Sequence, residues 1–204
     1  MGFSQAELQS YRDACVADLI REDVRLLFAG INPGLWTAAT QTHFAHPGNR
    51  FYPALRLAGI IDRDINRTEG MTKEDRCYLL SRGLGNTNLV NRATARADEL
   101  SPAELHSGRD RLEQTVRRYR PLVVAIAGIG AYRTAFRQRT ASVGRQPTDL
   151  VGAQLWVVPN PSGLNAHETI SSLAAVYAEP ALAAGVLTST PAAGRTPGVD
   201  ARVL

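Results

Sequence analysis

"VRLLFAGINPGLW", residues 24–36, joins an apolar run, continuous from Leu26, to a Gly/Pro turn. A short run without polar alternation reads as a strand buried on both faces. "AQLWVVPNPSGLN", residues 153–165, repeats the arrangement: apolar strand, Asn-Pro, then Gly-Leu. "PLVVAIAG", 121–128, is a third such run. Strands that are apolar throughout and separated by helices imply an α/β fold with a parallel sheet covered on both faces. Ligands of such sheets bind beyond the carboxyl ends of the strands. Both Asn-Pro loops lie at such ends, so both are expected to face one cleft.

The connecting segments read as helices. Residues 5–21 place Leu8, Tyr11, Cys15, Leu19 and Ile20 on one face. The stretch 31–48 lacks periodicity and reads as a long loop. Helices are expected over 49–60, with Pro53 in the first turn, over 72–82 and over 129–139. "SPAELHSGRDRLEQTVRRYR", from Ser101, opens with a cap, a proline at the first helical position and Glu104 three residues on. That is a complete helix-start signal. "GLGNTNLVNR", 83–92, reads as a short strand or turn. A last helix covers 168–184, interrupted at Pro180. One domain is expected over residues 1–185, with a flexible Pro/Gly-rich tail over 186–204.

The 204 residues suffice for a full hydrophobic core. No apolar stretch is long enough to span a bilayer, and the first residues lack a signal peptide's apolar centre. The expected location is intracellular, cytoplasmic and nucleoid-associated if bacterial, without membrane contact. Two cysteines, Cys15 and Cys77, are too few for a zinc ribbon or a four-cysteine iron–sulfur cluster. They read as half-buried thiols in helices. The net charge of +4 is carried almost wholly by arginine, with Lys73 the only lysine. Such an excess permits a polyanionic partner without demanding one.

The first loop offers Asn32, with Pro33 and Gly34 fixing a tight turn. A carboxamide is a poor base, but it can orient water or pair with an amide-like edge such as a pyrimidine. Phe44, an aromatic in a polar loop, is a stacking platform for a base or else a core residue. In the second loop Leu164 stands at the tip of a Gly-containing turn. It is either a helix-start contact or an apolar wedge for a base stack. Other motifs are weaker. "GIG", 128–130, is followed by Arg133 where a dinucleotide loop wants glycine. His43 and His46 lack a third metal ligand. Ser162 is in no nucleophile elbow. Asp98, Glu99 and Glu104 read as solvated or helix-start charges.

Taken together, "GINPGL" (30–35), "FAHPGNRF" (44–51) and "PNPSGLN" (159–165) resemble the mismatch-specific uracil/thymine DNA glycosylase family of the uracil-DNA glycosylase superfamily. "NLVNRAT" (88–94) and "ELHSG" (104–108) also fit. The resemblance spans residues 22–180. It implies a three-layer α/β/α sandwich with a short, mostly parallel central sheet. It implies a monofunctional enzyme that hydrolyses the N-glycosidic bond of a uracil or a damaged or mispaired pyrimidine, leaving an abasic site for base excision repair. The implied partner is double-stranded DNA, the implied state a monomer, and no cofactor or metal is required.

By the same resemblance Asn32 positions the attacking water. Phe44 stacks on the flipped base, and the backbone of Ile31 and Phe44 reads its polar edge. Asn88 assists the pocket. Gly163, Leu164 and Asn165 form the wedge, with Leu164 filling the gap and its neighbours contacting the orphaned base. Trp36 and Thr37 depart from the family's small residues, and Thr37 falls near the C5 side of the base. Two rival readings remain: a damage-binding protein with vestigial catalysis, and a small-molecule nucleotide hydrolase, which would need no wedge.

Overall fold

Strand β1, Leu26–Gly30, is buried along its whole length. Its side chains alternate between two cores. Leu26 and Phe28 belong to one apolar cluster, Leu27 and Ala29 to another. A strand that feeds two cores must lie in the middle layer of three. The computed structural model, which describes residues 2–188, shows those layers. Strands β2 (Leu84–Asn88) and β3 (Val123–Ala127) pair with β1 in parallel, one on each edge. The two-residue strand β4 (Gly144–Arg145) runs antiparallel to β5 (Gln154–Val158), which is parallel to β3. The order is β2-β1-β3-β5-β4. The α/β class and the mostly parallel sheet are those the sequence implies.

Helices close both faces. Phe51 and Leu55 of α3 (Phe51–Leu57), Leu79 of α4 (Lys73–Ser81) and Tyr177 of α7 (Ile170–Ala183) pack with Leu26 and Phe28. Leu105, Leu112 and Val116 of α5 (Pro102–Tyr119) and Tyr132 of α6 (Ile129–Ala135) pack with Leu27 and Ala29. The chain leaves β1 for a neighbour on one edge, then crosses to the other edge. That reversal opens a crevice beyond the carboxyl end of β1.

Four expectations need correction. The first helix, α1, covers only Gln5–Gln9. Asp13 takes a left-handed φ of 64°, and from there the backbone leaves the helical ladder and bonds to Asn86, Asn91 and Ala93. The supposed loop 31–48 holds α2, Leu35–Thr40. Leu35 and Ala38, one turn apart, pack with Val16 and Ala93, which is enough to fix a helix too short to show a period. Pro180 does not interrupt α7, which continues to Ala183. Tyr177 and Ala181 on either side are fully buried and hold the turn together. Both cysteines are exposed, and Cys15 is outside any helix. The expected tail lies mostly outside the described residues. No described helix is long and apolar enough to cross a membrane.

The start of α5 is the sequence signal most fully realised. The Ser101 hydroxyl accepts from Glu104 N at 3.2 Å, and Glu104 Oε2 accepts from Ser101 N at 2.9 Å. Ser101→Ala should lower stability by about 1 kcal/mol. Urea denaturation should show an earlier midpoint with an unchanged slope.

Candidate active site

Asn32 lies two residues beyond β1. Its Nδ2 donates to Thr94 Oγ1 (2.7 Å), Arg92 O (2.9 Å) and Pro33 O (3.2 Å). Thr94 spends its own proton on Arg96 O at 2.7 Å, so toward Asn32 it can only accept. Reversing the amide would set Oδ1 against three oxygens. The orientation is therefore fixed, and Oδ1 is left as the group offered to a ligand. Arg92 is itself anchored: Nε donates to Glu104 at 2.7 Å and Nη1 to Asp13 at 2.9 Å. The Arg92 guanidinium and the Ser101 cap hold the Glu104 carboxyl down to about 2.

The β1–β2 register sets Gly30 beside Asn88. A Cβ on Gly30 would come within 2.6 Å of Asn88 Oδ1 and 3.4 Å of the Phe44 ring. Glycine is needed there because the carboxamide and the ring both approach the bare backbone. Asn88 is only 4% exposed. Its Nδ2 lies 3.2 Å from His43 Nδ1, while His43 Nε2 lies 3.2 Å from Ala17 O. A carbonyl can only accept, so Nε2 carries the proton and Nδ1 accepts from Asn88. Burial pushes the His43 imidazole down to about 4, which keeps it neutral and preserves this tautomer. Asn88, like Asn32, is thus held by its nitrogen.

Phe44 has a φ of 57°, rare for a residue with a bulky side chain. One face of its ring stacks on Phe51 at 4.0 Å and 22°. Thr37 is buried, and its hydroxyl accepts from Ala45 N at 3.4 Å. Trp36 donates from Nε1 to Thr68 O at 2.9 Å and stands edge-on to His46.

The second Asn-Pro loop faces these residues. Leu164 is 88% exposed. The turn beneath it is tied by Asn160, whose Oδ1 accepts from Ser162 N and whose carbonyl accepts from Asn165 Nδ2, both at 3.0 Å. A Cβ on Gly163 would meet Gly48 O at 2.7 Å, so the two loops touch through glycine. Between them is a cleft of about 690 Å³. Asn32, Ile31, Thr37, Phe44, Asn88, Gly163, Leu164 and Asn165 all line it. Among the described residues the one carboxylate lining it, Asp98, is paired with Arg96 at 2.5 Å. Carboxamides, backbone groups and the Phe44 face, with Trp36 and His46 also on the lining, suit a flat, neutral, polar-edged ligand.

The sequence profile of the uracil DNA glycosylase superfamily matches residues 17–179. The chain belongs to that superfamily. The fold agrees with a solution NMR structure of a candidate uracil DNA glycosylase from Methanosarcina acetivorans. That chain is 15% identical with a TM-score of 0.56, and the match covers 84% of this chain and 96% of the other. Superfamily membership supports a DNA glycosylase, a hydrolase of N-glycosidic bonds.

Some of this glycosylase's site escapes the sequence. Thr94 closes the matching stretch 88–94, but it is 62 residues from Asn32 and nothing in that stretch pairs the two side chains. Gln5, Leu8 and Gln9 of α1 line the cleft although they precede the matched region. His43 has both ring nitrogens engaged and neither free for a metal. Asn165 has its carboxamide tied into its own loop, with His167 N donating to Oδ1 at 3.4 Å.

His43 also gives a pH signature. In the unfolded chain its pKa returns to the ordinary 6.5, whereas burial keeps it near 4. Below pH 6.5 the unfolded state binds the extra proton, so stability falls as pH drops from 6.5 toward 4 and levels off below that. The slope from this group is at most ~1.4 kcal/mol per pH unit. Thermal melts of the parent and of His43→Gln across pH 4–7 should diverge by this dependence, the parent being the steeper.

Proposed function

We propose that this chain flips a uracil or a mispaired or damaged pyrimidine out of double-stranded DNA and hydrolyses its N-glycosidic bond. The product is an abasic site for base excision repair. The observation that carries the reading is the pair of fixed carboxamides. Asn32 and Asn88 are both tied through nitrogen, and both stand at one cleft beside an aromatic face.

The two acceptors have different partners. Asn32 Oδ1 accepts a hydrogen bond from a water O–H and holds the water oxygen toward C1′ of the flipped nucleotide. Asn88 Oδ1 accepts the N3–H of uracil or thymine. Cytosine presents a lone pair at N3, which this oxygen repels, so normal cytosine is refused. Phe44, backed by Phe51, stacks on the base. As the water oxygen bonds to C1′, the C1′–N1 bond breaks and its electron pair leaves with the base. The oxygen now bonded to C1′ releases its second proton to solvent, leaving a hydroxyl, while the base anion is stabilised by backbone N–H donors of the 31 and 44 segments and takes up a proton from solvent. Leu164 enters the stack where the nucleotide stood, with Gly163 and Asn165 toward the orphaned partner.

The test is single-turnover excision from duplexes carrying uracil, thymine, ethenocytosine or hypoxanthine opposite G or A. Asn32→Ala should lose on the order of 10²-fold or more in rate, because it removes geometry, while duplex binding persists. If Asn32→Ala cleaves uracil as fast as the parent, water is held elsewhere and the reading fails. A parent that binds damaged duplex yet leaves no alkali-labile sites would mark a binding protein instead.

Thr37 gives a second expectation on the same substrates. Its buried position against the cleft opposes the C5 methyl of thymine. Uracil opposite G should therefore be preferred over thymine opposite G, by about 1–3 kcal/mol for one methyl. A measured preference for thymine overturns this placement.

A further inference from the structure

Arg50 begins α3 but makes no side-chain hydrogen bond to that helix. Its guanidinium reaches the opposite loop instead. Nη2 donates to Ser162 O (2.5 Å) and to Asn165 O (2.7 Å), and Nη1 donates to Glu168 O. Its backbone N–H donates to Pro161 O at 3.0 Å. These carbonyls bracket Leu164 on both sides. Nε is buried with no partner. The next residue, Phe51, backs the Phe44 ring. Two consecutive residues thus hold the exposed leucine and the aromatic platform in one rigid relation.

We infer that Arg50 is a positioning residue for excision from duplex. It fixes the Leu164 loop at a set distance from Phe44, so that the platform receives the base while the leucine fills the hole. The planar fork spreads its donors over two nitrogens, Nη1 toward Glu168 and Nη2 toward Ser162 and Asn165, whereas a lysine would have to reach all three carbonyls from one nitrogen. The inference rests on the proposed function and adds a residue to it. Contact with the wedge loop predicts a particular signature. The loop matters when a base must leave a stack and not when it is already unstacked. Loss of Arg50 should therefore affect duplex and single-stranded substrates unequally.

The experiment compares Arg50→Ala, Arg50→Lys and Leu164→Ala with the parent, using uracil in duplex and in single strand. Arg50→Ala should lose on the order of 10–100-fold on duplex, and stay within about twofold on single strand. Leu164→Ala should show the same split, and Arg50→Lys an intermediate one. Amide hydrogen exchange of residues 162–168 should speed up in Arg50→Ala. Thermal melting checks the fold, and if Arg50→Ala melts early, Arg50→Lys decides the split. Equal losses on both substrates, or no loss on either, overturn the inference. A parent inactive on every substrate overturns the proposed function instead. Hydrogen exchange then decides the clamp alone: unchanged exchange in the variant sinks it.

Discussion

Strand β1 is packed on both faces and hydrogen-bonded along both edges. Its carboxyl end consequently has no freedom to drift. Gly30 closes the strand, and its missing side chain is the space into which Asn88 and Phe44 converge. Every group of the cleft is placed relative to that point. Asn88 arrives by register from β2, and Asn32 by the turn that Pro33 and Gly34 force. The loop carrying Phe44 is held from beneath by Tyr52, whose hydroxyl donates to His43 O at 3.1 Å. A Cβ at residue 30 would need more than a rotamer change, because the first atom it meets is on a carboxamide already fixed at its other end.

The shared logic of the two asparagines lies in what surrounds them. A free carboxamide can present either its oxygen or its nitrogen, so by itself it does not discriminate. Here each nitrogen is engaged by groups that cannot accept the alternative. The oxygen of Thr94 is obliged to accept because its proton is used, and Nδ1 of His43 is obliged to accept because its proton is on the other nitrogen. Neutral residues thereby acquire a directed polarity without a buried charge. Directed polarity without charge matters beside DNA, where a free carboxylate near the phosphates would be repelled.

The sheet was legible because β1, β3 and β5 are continuous apolar runs, and α5 because its first four residues contain every start signal. Asn32, Phe44 and Leu164 were legible because each is out of place: a carboxamide in an Asn-Pro turn, an aromatic in a polar loop, a leucine at a glycine tip. What stayed hidden depends on contacts between distant segments. Residues 10–21 have helical spacing, yet the backbone there bonds to the 91–93 loop and to β2. The six residues of α2 are too few to show a period. Thr94 and His43 act through the orientation they impose on another side chain, and no composition or spacing encodes an orientation. Arg50 is one arginine among many in the sequence, and only the folded loop shows where its donors go.

Leu164 illustrates why the clamp beneath it matters energetically. An 88% exposed leucine leaves most of its side chain in water. Burying a leucine fully is worth ~1.5–3 kcal/mol. On the proposed function that stabilisation is withheld in the free protein and released only when the side chain enters a base stack. Unstacking one nucleotide costs a few kcal/mol. The two quantities are of the same order, so the leucine offsets a real fraction of flipping, but only if little order has to be imposed on binding. Fixing the backbone of a mobile residue costs about 1–2 kcal/mol. A loop of even three mobile residues would cancel the gain. Asn160, the Gly163–Gly48 contact and Arg50 fix those residues in advance, so the apolar gain remains available to open the duplex.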